Sequence, residues 1–120
     1  MIQYYTKYGG TVRTRSEEEL KRLIAGVKRE ITRLGDMRPG HLSVQYRRSG
    51  GREIGYNQLS FTYAGRSRTE YVRDDDLPRV RREVETFRRF RELCDELVGL
   101  SVEASRARTA ERIRREEEDA

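Results

Sequence analysis

The stretch Tyr56-Asn57-Gln58-Leu59-Ser60-Phe61-Thr62-Tyr63-Ala64-Gly65-Arg66-Ser67-Arg68-Thr69-Glu70-Tyr71-Val72 decides the fold. Leu59, Phe61 and Tyr63 alternate with Gln58, Ser60 and Thr62, the two-residue period of a strand with one apolar face. Ala64-Gly65 fits a tight turn, where glycine takes positive φ without steric cost. Arg66 to Val72 then returns as the next strand. With two turn residues, Thr62 faces Ser67, Ser60 faces Thr69 and Gln58 faces Tyr71, a polar face turned to solvent or to a partner. A one-residue slip would exchange the faces.

Working outward, Leu42, Val44 and Tyr46 alternate with Ser43, Gln45 and Arg47, which predicts an earlier strand. Arg47-Arg48-Ser49-Gly50-Gly51-Arg52 reads as a basic, glycine-bearing loop before the strand from Tyr56 to Tyr63. Residues 42–72 thus predict a three-stranded antiparallel sheet. Before it, Ser16-Glu17-Glu18-Glu19 fits a capping box, and Leu20, Leu23, Ile24, Val27, Ile31 and Leu34 recur at helical spacing. Gly35 and Pro39 stop that helix, read as 17–34. After the sheet, Asp74-Asp75-Asp76 and Leu77-Pro78 open a second helix. Leu77, Val80, Val84 and Phe87 form its first stripe. After a phase shift the stripe continues through Phe90, Leu93, Cys94, Leu97, Val98, Leu100 and Val102, thinning to Ala104, Ala107, Ala110 and Ile113.

The predicted fold class is α+β: an N-terminal helix, a three-stranded antiparallel sheet and a long C-terminal helix over about 76–113, coiled-coil-like in its stripe. As one rod that helix would be roughly 55 Å long, against a radius of gyration of about 13–14 Å for a compact domain of this size. Either it bends near Gly99, or its distal half projects and its stripe needs a partner. The first helix is expected against the proximal half, with both facing Leu59, Phe61 and Tyr63. The organisation read from the chain is an N-terminal arm over 1–15, one domain over 16–108 and a charged, fraying tail over 109–120. Within the arm, Gly9-Gly10 suits a hairpin turn, and an unfastened segment is the alternative.

Of 120 residues, 39% are charged, against about 25% in a typical globular protein. Residues 1–72 carry a net +7 and residues 73–120 a net −2. Among 26 basic residues 23 are arginine, the planar fork suited to phosphate and guanine, though a GC-rich genome also raises arginine over lysine. No apolar run approaches the roughly 18 residues of a membrane span. No apolar stretch follows the N-terminus, so cytoplasmic residence is the expectation.

The sequence argues against an enzyme. The one histidine, His41, reads as a loop residue, and no nucleophile or oxyanion-hole context accompanies it. The one cysteine, Cys94, lies on an apolar stripe and cannot form an internal disulfide. Gly50-Gly51 lacks the Lys-Ser/Thr and βαβ context of a phosphate loop. Asp74-Asp75-Asp76 is explained by helix capping more cheaply than by a cation. No cofactor and no metal are expected.

What remains is arginine around the hairpin. The expected nucleic-acid contacts are Arg47, Arg48, Arg52, Gln58, Arg66, Arg68 and Arg73. A two-stranded ribbon fits the DNA major groove, where Arg and Gln read base edges and Ser and Thr meet phosphate.

Three segments carry a resemblance: Met37-Arg38-Pro39-Gly40-His41-Leu42-Ser43-Val44-Gln45-Tyr46, the stretch from Tyr56 to Val72, and Phe87-Arg88-Arg89-Phe90-Arg91-Glu92-Leu93. Together, over about residues 17–108, they resemble a family of small bacterial proteins without an assigned function, often encoded near transposases and other mobile elements. Many members of that family carry clustered cysteines, and often a His-Gly-Pro, between the first two strands. Here Arg47 to Gly55 holds neither Cys nor His, so a metal knuckle is not carried over. The resemblance implies the fold and a mobile-element setting, and it tilts the reading toward nucleic acid.

The expected function is therefore a non-enzymatic accessory protein of a mobile element that binds nucleic acid. DNA is favoured over RNA, although nothing distinguishes 2′-hydroxyl reading. The alternative is an oligomerisation or adaptor protein, with Leu97, Leu100, Ala104 and Ala107 of the distal stripe as the interface to a second copy or a partner protein.

Overall fold

The computed structural model describes residues 3–5, 11–13 and 15–120, with side chains from residue 15 onward. The fold is α+β. Its elements are β1 (Gln3–Tyr5), β2 (Thr11–Arg13), α1 (Glu17–Arg33), β3 (His41–Ser49), β4 (Arg52–Tyr63), β5 (Arg66–Val72) and α2 (Leu77–Asp119). The chain divides into two compact units, residues 34–91 and residues 1–33 with 92–120.

In the unit of residues 34–91, β3, β4 and β5 form an antiparallel meander with β4 in the centre. Thr62 pairs with Ser67, Ser60 with Thr69 and Gln58 with Tyr71, the register expected from a two-residue turn. Ala64 and Gly65 have φ of 52° and 75°, and Gly50 and Gly51 have 59° and 78°. Both turns thus hold two successive left-handed residues, whose twist matches that of the flanking strands. The stretch expected as a basic loop is therefore the end of a hairpin. Arg47 and Arg48 continue β3, Arg52 opens β4, and only Gly50-Gly51 turns. Glycine at both turn positions lets the pairing run to Ser49↔Arg52, so β4 starts four residues before the expected Tyr56.

Leu59, Val72, Val80 and Val84 form the core of this unit, with Leu42, Phe61 and Leu77 packed against it. The first turns of α2 thus cover the apolar side of the sheet, as alternation on β4 and three- and four-residue spacing on α2 require. Asp76 precedes the helix, and its carbonyl accepts the first helical bond from the Val80 N–H at 2.9 Å. The segment before β3 is fastened by Arg38. Its backbone N–H donates to the Glu83 carbonyl at 3.2 Å. Its guanidinium reaches Glu70 at 3.0 Å and stands 5.0 Å from the Phe61 ring centre.

In the other unit, β1 and β2 pair as an antiparallel hairpin, Tyr4 opposite Val12. The rest of the expected arm, apart from Arg15, lies outside the described residues. Helix α1 begins as its sequence predicts: Ser16 Oγ accepts from the Glu19 N–H at 3.2 Å. Leu20 and Val27 of α1 are buried, as are Leu93, Leu100, Ala104 and Ala107 of α2. Arg15 forms a two-pronged ion pair with Glu103, through Nε to Oε1 at 3.0 Å and a second nitrogen to Oε2 at 2.5 Å. That bond holds the Glu103 carboxyl below its ordinary range.

Two expectations are corrected here. Helix α1 shares its unit with residues 92–120 of α2, not with the proximal half and the sheet. Val80 and Val84 of α2 belong to the sheet core, whereas Leu93, Leu100, Ala104 and Ala107 are buried in the part of α2 that belongs to the other unit. The helix also runs without interruption through Gly99 to Asp119, beyond the expected end near 113. Ion pairs one turn apart hold its last turns, with Arg112 on Glu116 and Arg114 on both Glu111 and Glu118. Among the described residues no helix is long and apolar enough to cross a membrane.

Candidate nucleic-acid interface

The pairing of β3, β4 and β5 has no bulge, so strand alternation assigns every side chain to one of two faces. One face holds Leu42, Leu59, Phe61 and Val72 and is turned to α2. The opposite, open face has fourteen strand positions: residues 41, 43, 45, 47 and 49 of β3, alternate residues 52 to 62 of β4, and residues 67, 69 and 71 of β5. None is Asp or Glu. Two are arginine, Arg47 and Arg52, and most of the rest are Ser, Thr, Gln or Tyr. The Thr62 and Ser67 hydroxyls hydrogen-bond across the strands at 3.2 Å, and the Gln45 amide donates to Ser43 Oγ at 3.3 Å.

The sheet is three strands wide only where β5 reaches, from Asn57 to Tyr63 of β4. Beyond Asn57, β3 and β4 continue as a two-stranded ribbon ending at Gly50-Gly51. Tyr46 and Ile54 are exposed on this ribbon despite their apolar character, as is Val44 at its base.

The expected contact residues divide between the faces. Arg47, Arg52 and Gln58 lie together on the open face. Arg48, Arg66 and Arg68 point to the α2 side, where Glu53 stands opposite Arg48 and Glu70 opposite Leu59. Arg73 is exposed in the turn after β5. The basic hairpin imagined as one surface is therefore two, and only the open one is free of carboxylates.

Two further residues belong to the open face. Tyr56 and Tyr71 meet edge-to-face, with ring centres 5.8 Å apart and planes at 69°. The Arg47 guanidinium stands 5.6 Å from the Tyr56 ring centre, in range of a cation–π attraction. The signal for Tyr56 was present in the sequence, since the period of two places it with Gln58 and Ser60. Its link to Arg47 becomes visible only when 47–52 is understood as strand and turn.

The distal α2 residues are differently placed. Leu100, Ala104 and Ala107 are buried within this chain, and Leu97 is half-buried. The stripe expected to await a partner is thus covered in part, while its Val98, Val102 and Ile113 are exposed. His41 opens β3 and is exposed opposite Ser60, and Cys94 is half-buried on α2. Asp74 accepts a bond from the Asn57 amide at 2.7 Å, and Asp76 lies 3.5 Å from Arg79. Among the described residues no group of three or more His, Cys, Asp or Glu is placed to hold a metal ion.

No family model, curated protein or solved structure matches this chain.

Proposed function

We propose that this protein is a non-enzymatic DNA-binding accessory protein, and that the open face of its sheet, extended by the β3–β4 ribbon, is the contact surface. One observation carries the reading: the fourteen open-face strand positions include two arginines and no carboxylate, in a chain of which 39% is charged. A phosphate backbone laid on that face meets no fixed negative charge from the strands. Arg47 and Arg52 supply charge-assisted bonds to phosphate, and the Ser, Thr and Gln side chains supply neutral ones. The resemblance to proteins encoded beside transposases supports an accessory role in a mobile element. The burial of Leu100, Ala104 and Ala107 within the chain favours this reading over the adaptor alternative, whose expected interface they were.

The division of the arginines makes the test specific. An electrophoretic mobility shift at low salt compares the wild type with Arg47→Ala/Arg52→Ala and with Arg66→Ala/Arg68→Ala. The open-face pair should weaken DNA binding by about tenfold or more, at roughly 1 kcal/mol per lost phosphate contact. The other pair should stay near wild type. Loss confined to Arg66→Ala/Arg68→Ala would move the contact to the α2 side, and a wild type that shifts no DNA would end the reading.

A further inference from the structure

We infer that Arg47, Tyr56 and Tyr71 form a stacking platform for the bases of an unpaired DNA strand. The inference rests on the nucleic-acid reading above and names the form of its ligand. The row crosses the whole sheet, with Arg47 on β3, Tyr56 on β4 and Tyr71 on β5. Its members hold one another, at 5.6 Å from guanidinium to ring and 5.8 Å from ring to ring. Their ordering is thus largely complete before a ligand arrives, which lowers the cost of binding. Tyr71 is nevertheless 60% exposed. A large ring held in place on an open face, outside any core, has surface to offer.

Strandedness follows from what a ring can touch. In a duplex the base faces are stacked on one another, and only their edges open into the grooves. Aromatic rings on an open sheet present π faces, and only an unpaired base can match them. Gln58, directly opposite Tyr71, offers an amide to a base edge. Arg52 lies on the same face of the ribbon for the backbone. Ile54 stands opposite Arg47 with 39% of its surface exposed. An apolar side chain there suits a thymine methyl and the 2′-methylene of deoxyribose better than a 2′-hydroxyl. The site therefore favours a single DNA strand.

Fluorescence anisotropy with a labelled oligothymidylate of about 12 nucleotides tests this. The arms are its duplex with oligoadenylate and the matching oligouridylate. The wild type should bind the single DNA strand more tightly than either. Tyr71→Ala, at an exposed position, should weaken strand binding by between about fivefold and a hundredfold, while Tyr71→Phe binds like the wild type. Circular dichroism of each variant checks that the fold is kept. Equal affinity for strand and duplex with no effect of Tyr71→Ala would overturn the platform, yet leave DNA binding by Arg47 and Arg52 standing. Tighter binding of the RNA strand would overturn the assignment to DNA. No binding to any of the three would overturn both this inference and the reading beneath it.

Discussion

At Gly40 the backbone takes φ of 148°, and a Cβ built there would run into the Leu59 side chain. Leu59 is fully buried at the centre of the sheet core, so it has nowhere to retreat. Gly40→Ala should therefore cost roughly 2–4 kcal/mol, from overpacking and a strained backbone together, read as a lowered midpoint in urea. Ala64 is the opposite case: it holds φ of 52° where Asn or Gly is favoured. Ala64→Asn should raise stability by about 0.5–1 kcal/mol in the same measurement. Glu103 carries a pH signature. Its carboxyl is held below the ordinary value of 4.5 by its bond to Arg15. Because the folded form holds the proton less tightly, the stabilisation is complete above the unfolded value and is lost as pH falls through the folded one. Glu103→Gln should cost roughly 0.5–1 kcal/mol near neutral pH, and the gap to wild type should close in acid below about 4.5. The capping serine and the Ala64-Gly65 turn were legible as residue types. The clash at Gly40 was not, because it depends on a partner nineteen residues away.

Elements were legible wherever periodicity was unbroken. Helix α1 lies within a residue of its expected end, and the β4–β5 register follows from the turn length alone. The β3–β4 hairpin was misread where arginine and glycine interrupt the apolar alternation. Charged residues on an uncovered ribbon carry no hydrophobic period, so strand and loop look alike there. The end of α2 was misread for a related reason: its last turns are held by ion pairs, not by a buried stripe. The stripe itself was recognised, but not what covers it. Leu100 is buried, so Leu100→Asp places an unpaired charge in the unit that holds α1. It should unfold that unit, seen as lost helical circular dichroism. An oligomer that dissociated into folded chains of unchanged helicity would contradict this and revive the adaptor reading.

For the whole molecule, net charge gave only a weak lead. The surplus of positive charge in the first 72 residues is real, but the sheet sorts it by face. Sorting needs the register, and the register of β3 on β4 needs the glycine turn, so the composition of the open face could not be assembled from the sequence alone. The consequence is that binding should be governed by a few side chains on one surface and not by the chain's overall charge of +5. The salt dependence of affinity measures this most directly. Each phosphate contact contributes about 0.7–0.9 to the slope of log affinity against log salt. Titrating a labelled DNA strand across a salt series should give a negative slope for the wild type, and a slope shallower by roughly 1.5 for Arg47→Ala/Arg52→Ala. An unchanged slope in that variant, with affinity falling in the same way for every arginine removed elsewhere, would contradict the account.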